Sequence, residues 1–317
     1  MMDVVALGEL LIDFACLSTD ADGYPTMAAH PGGAPANFLG ALAKYGAKTA
    51  LMGKVGTDAF GKLLMDTMEK AGISTRGLIT TEDVFTTLAF VTFDNHGDRQ
   101  FSFARKPGAD TTISFEELDL QLIDEAKVFH FGTLSLTDEP ARTATQKAVA
   151  YAKSKGKLIT YDPNLRKPLW RDLETARQQL LWGLSQADVV KISDEEVEFL
   201  FGMGVAEGAA HILSTYGVKL VFVTCGPEGC YFQNAQAKGY VPTLKGLDVI
   251  DTTGAGDIFG GSAVWQLLQL EKAPETLTEA ELRKVTSFAC TAASLSTTRP
   301  GGLSSVPTLS EIHSITF

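Results

Sequence analysis

Cysteine is scarce in this 317-residue chain, and the four present (Cys16, Cys225, Cys230, Cys290) are scattered. They form no C-x-x-C pair and join no histidine cluster at metal-ligand spacing, so neither a disulfide framework nor a zinc site is expected. Reduced thiols in a cytoplasm are the expectation. Long apolar runs are also missing. Val4 to Leu17 is apolar enough to raise the question of a signal peptide, but it has no basic leader, and Glu9 and Asp13 interrupt it. No stretch approaches the roughly 20 apolar residues of a membrane-spanning helix. Positive charge is in deficit, with 27 Lys and Arg against 38 Asp and Glu and a net charge of −11. That balance argues against nucleic acid or an anionic membrane as partner, since both need basic patches. An anionic ligand therefore requires a local positive site.

The content that remains is globular. Hydrophobic residues make up 45% and charged residues 21% of the chain, enough for a sizeable core and too little charge for disorder. There is no internal repeat, low-complexity tract or Pro-rich linker, so residues 1–317 are read as one domain with an appendage inserted in it. Short runs rich in Val, Ile and Phe alternate with helical stretches, the pattern of a sheet covered by helices on both faces. Buried strands are expected at Val4–Leu7, Ala50–Val55, Lys127–Phe131, Leu158–Asp162, Val189–Ile192 and Lys219–Thr224. Helices are expected at Thr57–Ala71, Pro140–Lys155 and Leu173–Leu184, the first with Phe60, Leu64 and Met68 on one face. A mainly parallel, doubly wound α/β sheet follows. Thr86–Phe93 and Arg99–Arg105 break the rhythm as a hairpin joined by Asp94–Asp98, with no helix after it. With Phe14 to His30 they form a small separate sheet in this reading, a lid made of about 14–30 and 86–105.

Chemistry concentrates in glycine-rich turns. Asp251-Thr252-Thr253-Gly254-Ala255-Gly256-Asp257 follows a strand-like Leu247–Ile250 and precedes an apolar helix, Ile258–Leu270. Small residues let the backbone approach a ligand, and the helix start offers unpaired N–H groups with partial positive charge. The segment is an anion hole, and Asp257 in the first helical turn can face a hydroxyl beside the anion. Helix capping alone needs one such carboxylate, not two flanking Gly-Ala-Gly. Pro31-Gly32-Gly33-Ala34-Pro35-Ala36-Asn37 is a second small-residue turn into a helix, where Asn37 offers a donor and an acceptor to a hydroxyl. Asp162-Pro163-Asn164-Leu165-Arg166 ends a buried strand, where open α/β sheets place ligands, and Arg166 suits a phosphate.

Two nucleotide signatures fail. Gly254-Ala-Gly256 has Phe259 where the third glycine of G-x-G-x-x-G belongs, and Gly56–Lys62 imitates a P-loop but continues with Leu63 instead of Ser or Thr. His130, in a buried strand, is read as structural.

With its two glycine-rich turns in this order, the chain resembles the ribokinase-like, or pfkB, carbohydrate kinases. Pro31 to Gly61, ending in Gly53-Lys-Val-Gly-Thr-Asp-Ala-Phe-Gly61, is similar to the family's N-terminal signature. Asp251 to Gly261 is similar to its C-terminal one, and the likeness runs from Leu7 to about Ile312. The resemblance implies a three-layer α/β/α domain with a β-sheet lid. It makes Asp257 the base for the sugar hydroxyl, and the amides of Gly254, Ala255 and Gly256 the holders of charge on the moving phosphoryl group. Asp13, Gly32, Gly33 and Asn37 would bind sugar, Arg105 would close over it from the lid, and Arg166 would meet sugar or phosphate. Thr224-Cys-Gly226-Pro-Glu-Gly229, with Lys191, would bind the nucleotide. The family's Asn-x-x-Glu becomes Ser193-x-x-Glu196 here, so organisation of Mg²⁺, expected through water, rests on Glu196. Asp251, Thr253, Gly301 and Ser305 would hold a monovalent cation such as K⁺.

Within the family, Gly8-Glu-Leu-Leu-Ile-Asp13, Pro31–Asn37, Asp162–Arg166 and Ser193-Asp-Glu-Glu196 look most like fructokinases. ATP-dependent conversion of D-fructose to fructose 6-phosphate is the implied reaction. Ketodeoxygluconate kinase, or another sugar or nucleoside kinase, is the alternative. A non-catalytic sugar-binding regulator is a further class, but such relatives lose the base or the Gly-Ala-Gly turn, and both are intact. A lid-to-lid homodimer is expected because a small sheet leaves a face and edges to cover.

Overall fold

The computed structural model describes residues 1–93 and 99–315. In chain order the strands are β1 (Met2–Leu7), β2 (Leu11–Thr19), β3 (Pro25–Gly32), β4 (Thr49–Gly56), β5 (Ile73–Thr81), β6 (Leu88–Phe93) and β7 (Arg99–Ala104). They continue as β8 (Ala126–Gly132), β9 (Leu158–Asp162), β10 (Val189–Ser193), β11 (Leu220–Thr224), β12 (Gly229–Asn234) and β13 (Lys238–Pro242). The helices are α1 (Ala34–Lys44), α2 (Ala59–Lys70), α3 (Leu120–Glu125), α4 (Ala141–Ser154) and α5 (Leu173–Gln186). After them come α6 (Asp194–Phe201), α7 (Val205–Tyr216), α8 (Ala255–Leu270), α9 (Glu279–Ser296) and α10 (Leu309–His313).

Among the described residues, nine strands form one sheet in the order β13-β12-β11-β10-β9-β8-β1-β4-β5. Pairing is parallel from β11 through to β5, and only the β11–β12 and β12–β13 pairs are antiparallel. Strand periodicity sends alternate residues to opposite faces. Val5 and Leu7 of β1 join one core with Phe129, Ile159 and the inner faces of α4, α5 and α7, while Val4 and Ala6 join the other with α1 and α2. A continuous apolar strand is what burial on both faces demands. The helix α2 shows how local sequence sets a boundary. Asp58 accepts from the Phe60 and Gly61 amides at 2.9 and 3.0 Å, and Gly61, Leu64 and Met68 face inward.

A second, four-stranded sheet has the order β3-β2-β6-β7. β2 pairs antiparallel with β3 and parallel with β6, and β6 pairs antiparallel with β7. The expected hairpin and its partner segment therefore join in one sheet, while the expected turn at 94–98 lies outside the described residues. The Ile12 amide donates to the Thr87 carbonyl at 3.1 Å at the root of this sheet.

One expected strand is absent. Leu247–Ile250 is irregular, with Val249 62% and Ile250 64% exposed. The large sheet ends at β13, so no ladder partner remains for this segment. Its last amides bond to a helix end instead, Ile250 and Asp251 donating to the Thr297 carbonyl at 2.8 and 3.1 Å. The anion-hole turn is thus delivered by a pinned loop and not by a strand.

Candidate active site

The parallel strands β8, β9, β10 and β11 end on one edge of the large sheet, and the expected residues gather there. Gly33 caps α1 with φ 120°, and a Cβ at this position would lie 2.5 Å from the Glu9 carbonyl, so only glycine admits the turn. Gly254 caps α8 with φ 74°, and a Cβ there would lie 2.9 Å from Gly302 Cα and 3.0 Å from Asn37 Nδ2. The two turns are therefore packed together. Asn37 Nδ2 donates to Asp257 Oδ2 at 2.9 Å, joining α1 to the first turn of α8 across 220 residues of sequence. Asn37 Oδ1 is buried without a hydrogen-bond partner.

Charge is concentrated behind this junction. Lys191 of β10 pairs with Asp162 of β9 at 3.0 Å, both side chains nearly sealed from solvent. The Lys191 ammonium also abuts the turn, since a Cβ on Gly256 would sit 3.0 Å from Nζ. Lys191 is the candidate for the local positive site that an anionic ligand requires, with Asp162 as its counter-charge. Burial raises the Asp257 carboxyl above its ordinary range, against the lowering pull of the Asn37 hydrogen bond, Lys191 and Arg166. Burial likewise raises Asp162, with the Lys191 ammonium acting in the opposite direction. Asp13 of β2 is pushed up to about 6, first by burial, with Asp257 and Asp251 adding to the rise and Arg166 opposing it. His130 is pushed down to about 3 by burial and by Lys191, stacks on Phe38 at 3.7 Å and meets Thr160 Oγ1 at 3.0 Å. It is a neutral packing residue, as the sequence suggests.

Arg166 is exposed at the end of the Asp162–Arg166 turn, where Asn164 adopts φ 45°. Thr224, Gly226, Gly229, Thr252, Ala255 and Gly256 line one groove of about 630 Å³ that opens on the start of α8. Glu196 heads α6. Its Oε1 accepts from the Leu165 amide at 2.7 Å and its Oε2 from the Ser193 amide at 2.8 Å. The Glu196 amide in turn donates to Ser193 Oγ at 3.2 Å, so the Ser-for-Asn departure serves as a helix cap. Asp251 accepts from Thr253 Oγ1 at 2.7 Å and from the Gly301 amide at 2.9 Å. Ser305 Oγ donates to the Gly302 carbonyl at 2.7 Å, so the four residues expected around a cation fall in one pair of bonded loops.

Arg105 departs from expectation. It was expected over the sugar, but its side chain is 2% exposed and turned inward. Nε and one terminal nitrogen donate to Asp110 Oδ2 at 2.9 and 2.7 Å, while the rest of the fork reaches Thr137 Oγ1 and the Leu134 carbonyl. Asp110 comes from a one-turn helix after β7, and sequence spacing does not reveal that it captures the guanidinium. A buried charge without a partner is costly, so a pair once formed inside stays there. Glu9 was missed as a site residue. Its carboxylate, 3% exposed by residue, accepts from the Ala34 amide at 2.9 Å. The available signal was a lone carboxylate inside an apolar run next to a glycine turn.

A glycine-built helix terminus, a half-buried carboxylate held beside it and a groove leading to both define a phosphoryl-transfer enzyme of the ribokinase-like α/β class. Comparison with known proteins agrees. The family model for pfkB family carbohydrate kinases matches residues 1–309. The probable fructokinase-3 of Arabidopsis thaliana is 40% identical over 317 residues, covering 99% of this chain and 90% of its own. The crystal structure of a fructokinase with bound ATP from Xylella fastidiosa superposes with a TM-score of 0.91 at 31% identity, covering 99% of this chain and 98% of that one. The fructokinase of Vibrio cholerae in its fructose-, ADP- and calcium-bound form gives a TM-score of 0.87 at 28% identity, with the same coverage. The chain belongs to the pfkB family of carbohydrate kinases, and its fold is that of the ribokinase-like enzymes.

Proposed function

We propose that this protein transfers the γ-phosphoryl group of ATP to the 6-hydroxyl of D-fructose, giving fructose 6-phosphate and ADP. The observation that carries the reading is the hydrogen bond from Asn37 to Asp257, which fuses the sugar-side turn and the anion hole into one site. The whole-chain similarity to fructokinases supports fructose as the sugar.

In this mechanism Asp257 accepts the hydroxyl proton. A carboxylate is too weak a base to ionise an alcohol beforehand, but phosphoryl transfer passes through a loose transition state and the proton moves late. Asn37 fixes the carboxylate so that the other oxygen faces the hydroxyl. The amides of Gly254, Ala255 and Gly256, with the Lys191 ammonium, hold the charge on the phosphoryl oxygens, and each oriented donor is worth roughly 10²–10³-fold. Asp13, Gly32 and Gly33 line the sugar side, and Thr224, Gly226 and Gly229 line the nucleotide side. Both Glu196 oxygens already accept backbone amides, which fits contact with Mg²⁺ through water. Bound there with ATP, Mg²⁺ would neutralise phosphate charge. Asp251, Thr253, Gly301 and Ser305 fit a site for K⁺.

The small sheet acts as the lid, and exclusion of water keeps water from competing as acceptor. Shortening the hairpin Thr86–Arg105 is expected to raise sugar-independent ATP hydrolysis, and an unchanged leak would remove the lid from the mechanism. A lid-to-lid homodimer would cover Leu17 and Tyr24, 65% and 70% exposed on the small sheet, and sedimentation as a monomer at micromolar concentration would end that idea. A cytoplasmic setting suits the four free cysteines, and among the described residues no helix is long and apolar enough to cross a membrane.

Ketodeoxygluconate carries a carboxylate that needs a cation. With Arg105 committed to Asp110, Arg166 is the expected arginine that remains to meet it. The test is ADP release against fructose, ketodeoxygluconate, ribose, adenosine and fructose 6-phosphate, with and without K⁺. Preference for another sugar would overturn fructose and leave the kinase reading intact.

A further inference from the structure

Asp162 is a buried carboxylate at the end of β9 to which the mechanism above gives no task. Its two oxygens serve different neighbours. Oδ2 accepts from the Lys191 ammonium at 3.0 Å, with the two side chains 9% and 13% exposed. Oδ1 accepts from the Asn164 amide at 3.2 Å and closes the Asp162–Arg166 turn, in which Asn164 takes φ 45°. The turn has further supports. The Pro163 carbonyl accepts from Thr133 Oγ1, and the Leu165 amide donates to Glu196 Oε1 at 2.7 Å. For Lys191, in contrast, Asp162 is the side chain that the ammonium both bonds and pairs with.

Strand register brings the pair together. β10 lies parallel to β9 with Val189 beside Thr160 and Val190 beside Tyr161, so the next step along both strands sets Lys191 beside Asp162. The ammonium then lies against the turn that starts α8, 3.0 Å from where a Cβ on Gly256 would be. The chamber that the pair shares with Asp257, His130 and Thr160 has about 30 Å³ of free space, room for about one water. An ammonium has three donors to satisfy, and so little water cannot replace its partner. Burial pulls Lys191 toward its neutral form, and the Asp162, Glu196 and Asp257 carboxylates more than reverse this, Asp162 first. Asp162 therefore has two opposed effects on an anion at the turn. It cancels part of the positive charge, and it keeps that charge in place. Leaving a buried ion unpartnered costs more than one charged hydrogen bond to a phosphate returns, so holding the charge outweighs cancelling it.

We propose that Asp162 is a positioning residue that holds the Lys191 ammonium beside the Gly254–Gly256 turn, where it meets the nucleotide's phosphate oxygens. This rests on the kinase reading above. Without the Asp162 charge, Lys191 withdraws from the chamber or gives up its proton, and the turn loses its cation. The sugar side is spared, because the Asp162–Arg166 turn keeps its bonds to Thr133 and Glu196.

The experiment is a double-variant cycle on the full chain with Asp162→Asn, Lys191→Met and the two combined. Asp162→Asn keeps the side-chain volume and the acceptor for the Asn164 amide and removes the charge. Calorimetric titration with ATP and Mg²⁺ and the ADP-release assay at saturating fructose read the cycle. Each single variant is expected to bind ATP about tenfold more weakly and to lose about 10²-fold in kcat, with the fructose KM nearly unchanged. The double variant is expected to lose no more than Lys191→Met alone. Wild-type or tighter ATP binding by Asp162→Asn overturns the proposal, because cancelling charge is then the main effect of Asp162. Losses that multiply in the double variant also overturn it, since Asp162 then acts by a route other than Lys191, a purely structural one included. If Asp162→Asn fails to fold, the double variant, which removes both charges, decides. ATP binding and kcat equal to those of Lys191→Met sustain the proposal, and a further loss overturns it. A wild type that binds ATP but does not phosphorylate fructose defeats the substrate reading instead, and the binding cycle still decides the role of Asp162.

Discussion

Asp257→Asn is the decisive perturbation because the surroundings of this residue separate chemistry from folding. The side chain is half-buried at the start of α8 and accepts from Asn37 Nδ2 at 2.9 Å, a bond that an amide oxygen at position 257 would keep. The replacement has nearly the same volume and removes a charge whose neutral carboxyl form desolvation already favours. Folding is therefore expected to survive, with a melting temperature equal to or above that of the wild type. What disappears is the proposed proton acceptor. General-base catalysis is worth on the order of 10²–10⁴-fold, or roughly 3–5 kcal/mol of barrier. A coupled ADP-release assay at saturating fructose and ATP reads the loss, and calorimetric titration with ATP should show affinity retained.

The pH profile gives a second reading of the same change. Only the ionised carboxylate accepts a proton, so wild-type kcat/KM should fall as pH drops through the raised Asp257 value, while the residual rate of the variant should lack that limb. A variant keeping more than about a tenth of the wild-type rate would refute the assignment of Asp257 as base.

Gly254→Ala is expected to destabilise the fold by about 1–2 kcal/mol through its left-handed backbone, and to lower kcat further by pushing Asn37 away from Asp257. Thermal melts and the same assay check this, and a wild-type kcat would show that the two turns are not mechanically joined. Asp13 has a folded-state value raised to about 6, above the 3.8 of the free side chain, so its contribution to stability is full below pH 3.8 and lost as pH rises through 6. Asp13→Asn should therefore melt higher than wild type at pH 8, with the gap closing by pH 4, while fructose binding weakens. A gap that is the same at both pH values would contradict the burial argument.

Much of the fold was legible because strand and helix each impose a period on apolar residues. Leu158–Asp162 was read with its observed ends, the other five expected buried strands and the helices expected at 57–71, 140–155 and 173–184 differ from their elements by a residue or two at their ends, and the helix expected at Ile258–Leu270 starts three residues earlier, at Ala255. Leu247–Ile250 was misread for the same reason. A short apolar run looks like a strand whether or not a neighbour exists to pair with it, and here the sheet stops at β13. Likewise, Arg105 looked free because the residues that consume its donors come from Asp110, Thr137 and Leu134, placed by other elements.

The sequence by itself determined the glycine turns, since only glycine admits the φ values at Gly33 and Gly254, and with them the chemical kind of site at each helix start. It also determined the alternation of strands and helices and the unpaired small sheet. Tertiary structure alone decided what those turns do to one another. The Asn37–Asp257 bond, the Lys191–Asp162 pair and the Glu9–Ala34 bond all join residues far apart in the chain. Local periodicity specifies which face a side chain takes but not which distant group it meets there. That meeting depends on how sheet and helices pack, and it turns an anion hole into a site for phosphoryl transfer.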